Sequence, residues 1–69
     1  MDIRDVKKNL NREVICDGMK MLLVACIIRK HRKENRFYYE AELHDTRNGN
    51  WVLYCPLREV TEVQDESTP

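Results

Sequence analysis

The sequence has few of the residues that small catalytic and ligand sites depend on. It contains two glycines, two prolines and a single serine, Ser67. The glycines occur singly, in Asp17-Gly18 and Asn48-Gly49. A glycine-rich loop that binds a phosphate needs several glycines close together, so the sequence lacks one. Nothing around Ser67 would hold it against a base, which argues against serine-based nucleophilic catalysis.

Cysteine is also scarce, and its pattern predicts neither disulfides nor a metal site. Cys16, Cys26 and Cys55 are odd in number and form no Cys-x-x-Cys pair. Each lies in an apolar run, where a free thiol packs as a small hydrophobe. Together with His31 and His44 they show no paired ligand spacing. We therefore expect reduced, packed thiols and no metal or other cofactor.

No long hydrophobic run is present. The longest, Met21 to Ile28, is far too short to cross a bilayer, and no charged start leads into an apolar signal segment. Free thiols are typical of a reducing compartment. We expect a cytoplasmic protein without membrane contact.

The length limits what the chain can build. Its 69 residues (8.3 kDa) are 42% hydrophobic and 35% charged, which is typical of one small globular domain. A core of this size leaves little room for a deep substrate cleft. Glu40 and Glu42 would stand about 7 Å apart on one strand face, a spacing that could suit hydrolysis but is typical of a solvated face. We expect no enzyme and no small-molecule substrate.

The net charge is zero, but its distribution is uneven. Residues 1–28 carry +1, residues 29–36 carry +4 and residues 37–69 carry −5. Such a charge dipole can steer a charged partner, whereas zero net charge gives no general attraction to nucleic acid or anionic membrane.

The hydrophobic pattern predicts one helix followed by strands. Ile3, Val6 and Leu10 fall on one helical face, so residues 1–11 are expected to form an amphipathic helix that Asp2 caps and Asn11 ends. From residue 12 the period changes to two. We predict a single domain over residues 1–63, with strands in 12–63 and a loose tail at 64–69.

Turn residues divide the strand region. Asp17-Gly18 and Asn48-Gly49 are strong hairpin signals, and a third turn is expected in the polar stretch 33–35. The predicted strands are Glu13 to Cys16, Lys20 to Arg32, Arg36 to Asp45 and Trp51 to Cys55, followed by one helical turn at Leu57 to Val60 and a short strand at Thr61 to Val63.

The register of the last long hairpin has two alternatives. A two-residue turn at Asn48-Gly49 places Leu43 opposite Tyr54, whereas a three-residue loop with a bulge places Leu43 opposite Leu53. The second is favoured because it turns Trp51, Leu53 and Cys55 inward. Either register leaves apolar side chains on the solvent side.

This order of elements resembles the SH3-like and Sm-like small barrels, in which a strand, a proline and a single turn often precede the last strand. The segment Trp51-Val52-Leu53-Tyr54-Cys55-Pro56-Leu57-Arg58-Glu59-Val60 carries most of the resemblance. It implies a mainly β fold, a five-stranded antiparallel barrel or strongly curled sheet with one N-terminal helix. It also implies a binding module.

Two kinds of partner follow from the pattern. Tyr38, Val52 and Tyr54 are predicted to be solvent-facing apolar residues that bind another protein or a second copy of the chain. A chain of this size without catalytic residues is typical of an accessory or inhibitor protein of a bacterium or its phage.

The alternative is single-stranded nucleic acid, such as RNA. The hairpin between the second and third strands combines cations with an aromatic residue that could stack on a base. Its candidate residues are Arg29, Lys30, Arg32, Lys33, Arg36 and Tyr38. A lysine- and arginine-rich hairpin tip also keeps a strand edge soluble, so this pattern does not by itself identify a ligand.

Overall fold

A computed structural model describes residues 1–47 and 50–63 of the chain. Its elements are a 3-10 turn (Ile3–Asp5), helix α1 (Val6–Asn9), strands β1 (Glu13–Cys16), β2 (Met19–His31), β3 (Arg36–Asp45) and β4 (Trp51–Pro56), a second 3-10 turn (Leu57–Glu59) and strand β5 (Val60–Glu62). The predicted Asn48-Gly49 turn and the predicted tail at 64–69 lie outside the described residues. The mainly β fold with one short N-terminal helix is confirmed.

The five strands form one antiparallel sheet in the order β4-β3-β2-β1-β5. The sheet is not closed, so the structure does not confirm a barrel. Pro56 has no N–H for a ladder, and the 3-10 turn after it carries the chain to the far edge, where β5 pairs with β1. The strands β4 and β5 therefore form two separate edges.

Residues with positive φ make the tight turns. Asp17 (φ 54°) and Gly18 (φ 76°) both adopt the left-handed conformation, as a two-residue hairpin turn between β1 and β2 requires. Asn35 (φ 52°) ends the β2–β3 loop, and its N–H donates to the carbonyl of His31 at 2.9 Å. Asn11 (φ 64°) follows the helical segment. Among the described residues, Asp17, Gly18 and Asn35 thus have the backbone conformations expected of turn residues.

A β-bulge interrupts the long strand β2. Leu23 pairs with Leu43 and Ala25 pairs with Glu42, which leaves Val24 as an extra residue. Beyond the bulge, Cys26 pairs with Ala41. A bulge bends its strand and increases the local twist.

The core lies on one face of the sheet, which we call the concave face, and the opposite face is called the convex face. Its buried members are Val6, Val14, Cys16, Met21, Leu23, Ala41, Leu43, Cys55, Leu57 and Val60. The backbone nitrogen of Met1 donates to the carbonyls of Leu57 and Val60 at 2.9 and 2.6 Å, which ties the N-terminal segment to the β5 side of this core.

The helical segment is shorter than the sequence predicts, and it buries less. Asp2 caps it as expected, accepting a hydrogen bond from the N–H of Arg4 at 2.8 Å. Of the predicted apolar stripe only Val6 is buried, whereas Ile3 and Leu10 are exposed. Two short turns of different pitch do not keep residues 3, 6 and 10 on one line, so the regular helical spacing overestimated the buried face.

Candidate protein-interaction surface

The β3–β4 ladder places the predicted contact residues on the convex face. Leu43 pairs with Leu53, which confirms the favoured register. Val52 and Tyr54 then share the convex face, opposite His44 and Glu42 of β3. Both are exposed, Tyr54 at 52%, and Tyr38 is exposed further along β3. The three predicted residues thus lie on one face.

Tyr38 is nevertheless set apart from the other two. It lies four residues before Glu42 on β3, which is about 13 Å along the strand. Between them an ion pair joins Arg29 of β2 to Glu40 of β3. Val52 and Tyr54 therefore form one apolar patch, and Tyr38 is a separate exposed ring near the β2–β3 loop.

The polar groups beside this patch are paired with one another. The hydrogen bond from Arg29 to Glu40 raises the pKa of the guanidinium. The Nε2 of His44 lies 2.8 Å from a carboxylate oxygen of Glu42, and both of these side chains are partly buried. The two glutamates considered above as a catalytic pair thus each have their own partner, and what remains open to a partner at β4 is mostly apolar surface.

The concave side of β4 is also exposed, which the sequence pattern did not predict. Cys55 is buried as expected, but Trp51 is 72% exposed and Leu53 is exposed as well. Both side chains are on the core face of the sheet. They remain exposed because β4 is an end strand of an open sheet, and no other described strand packs over this part of the face. The available signal was the unbroken apolar run of β4, which is too apolar for a strand with one solvent face.

These concave-side residues border a groove. It has a volume of about 490 Å³ and is lined by Met19, Met21, Asp45, Trp51, Val52 and Leu53. We call β4 together with the exposed side chains on both of its faces the β4 edge. Four consecutive residues of this edge, 51 to 54, are exposed and apolar.

The basic hairpin distributes its charges over two faces and a loop. Arg29, Arg36 and Tyr38 share the convex face, whereas Lys30 pairs with Phe37 on the other face. Arg32 and Lys33 lie in the loop. The guanidinium of Arg36 is 2.6 Å from the carboxylate of Glu34, and Arg29 is held by Glu40.

The remaining members of the hairpin are more available. Within residues 1–47 and 50–63, no ion pair is formed by Lys30, Arg32 or Lys33. Phe37 is 64% exposed at the tip of the concave face, although the alternation predicts a core position for it. The ring of His31 lies against Tyr38, with centroids 6.5 Å apart.

The thiols are shielded rather than activated. Cys16 of β1 and Cys55 of β4 are both buried in the core, although their strands are not neighbours in the sheet, and Cys26 is partly buried. Burial, and next the hydrogen bond to Cys16, raise the pKa of Cys55 to about 12. Burial also raises the pKa of Cys26. Such thiols are poor nucleophiles at neutral pH.

In the described ranges, residues 1–47 and 50–63, no three side chains of His, Cys, Asp or Glu converge as metal ligands would. None of the helical segments in these ranges has the length and apolarity needed to cross a membrane.

The chain matches no protein-family description, no curated protein and no solved structure.

Proposed function

We propose that the chain is a non-enzymatic protein-interaction module that binds its partner through the β4 edge. The observation that carries this proposal is the exposure of four consecutive apolar residues on an edge strand, with Trp51 and Tyr54 on opposite faces. Aromatic residues of this kind supply most of the energy in protein interfaces. The proposal includes an accessory or inhibitor role in a bacterium or phage. It also includes an SH3-like architecture for the chain.

The free backbone of β4 supports the proposal independently of the side chains. In an antiparallel ladder, alternate residues direct their N–H and C=O groups toward a given neighbour, so half of the peptide groups of an end strand face away from the sheet. A partner strand could bind these groups while its side chains contact the apolar patch and the groove. This mode of recognition is known as β-augmentation.

A photo-crosslinking experiment tests the proposal. Tyr54 is replaced by benzoylphenylalanine in the full chain, and cells or extract of the organism that encodes it are irradiated. We expect a protease-sensitive adduct of discrete mass, because an aromatic residue at the centre of an interface lies within reach of the partner. The matched control places the same residue at Phe37, which is also exposed and aromatic but lies on the other face, at the hairpin tip.

A discrete adduct from position 54 that is not formed from position 37 supports binding at β4. No adduct from position 54 contradicts the proposal, as does an identical pattern of adducts from both positions. An adduct of twice the chain's own mass identifies a second copy as the partner.

A second candidate function, binding of single-stranded nucleic acid, is favoured by one observation. Phe37 is exposed beside Lys30, and the cations Arg32 and Lys33 extend from the adjoining loop. A base could stack on Phe37 while these cations contact phosphates. The structure argues for Phe37 as the stacking residue at least as strongly as for Tyr38, whose face also carries the Arg29–Glu40 pair.

Salt dependence tests this second candidate. Replacing Lys30, Arg32 and Lys33 by alanine removes three phosphate contacts, so the slope of log affinity against log salt is expected to fall by about 2 in magnitude for a single strand. Fluorescence anisotropy with a labelled oligonucleotide measures it. The control replaces the exposed cations Lys7, Lys20 and Arg58, which changes the net charge equally. Equal slopes for the two triple variants would exclude the hairpin as the site.

A further inference from the structure

The two edges of the sheet differ in how well they are protected. The β5 edge is three residues long, and it carries Glu62, which lies 3.7 Å from the Nζ of Lys8. The β4 edge is six residues long and has no charged residue from Trp51 to Pro56. Short and charged edges resist pairing with other chains, whereas a long apolar edge favours it. The β4 edge therefore lacks the usual protection.

We propose that the partner on the β4 edge is a second copy of the same edge, paired antiparallel about a two-fold axis near Leu53. This inference rests on the proposed function and names the partner. The structure favours the symmetric contact over one between β4 and β5, because β4 against β4 with the axis at Leu53 pairs five residues of each copy, whereas β5 offers only three. A symmetric contact also closes on itself at two copies.

The side chains fit this arrangement. A two-fold axis perpendicular to the sheet places convex face next to convex face and concave next to concave. With the axis at Leu53, Val52 pairs with Tyr54 on the convex side, and Leu53 pairs with itself on the concave side. Val52, Leu53 and Tyr54 are thereby each placed beside an exposed apolar residue of the other copy. Trp51 lies opposite Cys55 of the other copy, on the concave side where it borders the groove.

The area available matches a weak, reversible dimer. The exposed fractions of Met19, Trp51, Val52, Leu53 and Tyr54 correspond to roughly 500 to 600 Å² of surface per copy. Two copies would therefore bury about 1,000 to 1,200 Å² in total, which is the size of a transient contact and is consistent with a monomer–dimer equilibrium.

The charges do not oppose the contact. The chain has zero net charge, so two copies do not repel each other as whole molecules. The nearest carboxylate on the convex side, that of Glu42, already lies against His44. The interface centre is therefore free of like charges, which is what self-association requires.

Sedimentation and fluorescence on the full chain test the inference. Trp51 is the only tryptophan, so its emission reports on this edge directly. We expect a monomer–dimer equilibrium, with emission shifting to shorter wavelength as the concentration rises. Val52→Lys should raise the dissociation constant at least tenfold, because it places two ammonium groups beside the axis. The matched control is Thr61→Lys, at an exposed convex-face position of the β5 edge, which should leave the equilibrium unchanged.

Circular dichroism establishes that each variant is folded, and Tyr54→Lys replaces Val52→Lys if that variant is not. A strict monomer at all concentrations overturns the dimer. A dimer weakened by Thr61→Lys but not by the β4 variants also overturns it, as does an assembly larger than two. If the chain is monomeric but position 54 still crosslinks to a different protein, the proposed function stands and only the identity of the partner is wrong.

Discussion

Leu43→Ala is expected to lower the free energy of unfolding by about 3 kcal/mol, within the range of about 2 to 5 kcal/mol for removing a buried leucine side chain. Leu43 is 0% exposed, so its removal leaves a cavity at the centre of the sheet. A domain of 69 residues has only a few kcal/mol of stability in total. The variant should therefore be largely unfolded at room temperature or melt far below the wild type. Denaturant unfolding followed by circular dichroism measures the difference.

The chain offers a matched control for this substitution. Leu53 is the same residue type and pairs directly with Leu43 across the β3–β4 ladder, but it is 38% exposed. Leu53→Ala is expected to cost about 1 kcal/mol or less, because less apolar surface is returned to water and the site opens to solvent. Equal losses for the two variants would mean that Leu53 is covered in solution. Measured at high concentration, such a loss would point to the dimer, so the comparison is made at low concentration.

Cys55 is expected to react with iodoacetamide at least about a hundredfold more slowly than an unfolded cysteine at pH 8, the limit being set by transient unfolding of a domain with a few kcal/mol of stability. The thiolate is the reacting form, and with a pKa of about 12 only about one thiol in ten thousand is ionised at that pH. A raised pKa favours the protonated form, so the rate of reaction from the folded state should keep increasing with pH far above the range where a free thiol has levelled off. Mass spectrometry of proteolytic fragments gives the rate at each cysteine.

Cys26 provides the internal comparison. Its pKa is also raised by burial, but it is only partly buried. It should therefore react faster than Cys55 in the folded chain, and the two should react alike in denaturant. Labelling of Cys55 at the rate of Cys26 under native conditions would contradict the packed arrangement of Cys16 and Cys55.

The same measurement connects with the leucine variants. Buried thiols also react through unfolding, at a rate proportional to the unfolded population. Leu43→Ala should therefore accelerate labelling of Cys55, whereas Leu53→Ala should change it little.

The strands could be predicted from the sequence because their limits are set locally. The bounds of β1 and β3 agree with the prediction to the residue, since Asp17 and Gly18 require a tight turn and Asn35 tolerates positive φ. The register of β3 against β4 followed from matching apolar residues across the ladder, which placed Leu43 opposite Leu53.

What covers each face could not be predicted in the same way. Alternation assigns Trp51 and Phe37 to the concave face, but it does not show which part of that face is covered by other residues. Coverage depends on the curl of the whole sheet and on whether its edges meet, which are properties of distant residues. The exposed concave side of the β4 edge, including Leu53, was therefore missed, while the convex residues Val52 and Tyr54 were identified because the favoured register turns Leu53 to the core side and leaves these two residues on the opposite face.

The extra residue Val24 also has a consequence for how the chain tolerates length changes. The pairing before it sets Leu23 inward, and the pairing after it sets Cys26 and Ile28 inward. If all residues of β2 followed strict alternation without the bulge, every position from Ala25 to the hairpin tip would be inverted and Arg29 would turn toward the core side. Natural variants of this chain should accordingly tolerate the loss of one residue between Leu23 and Cys26, because that loss removes the bulge and leaves the pairing of Cys26 with Ala41 unchanged.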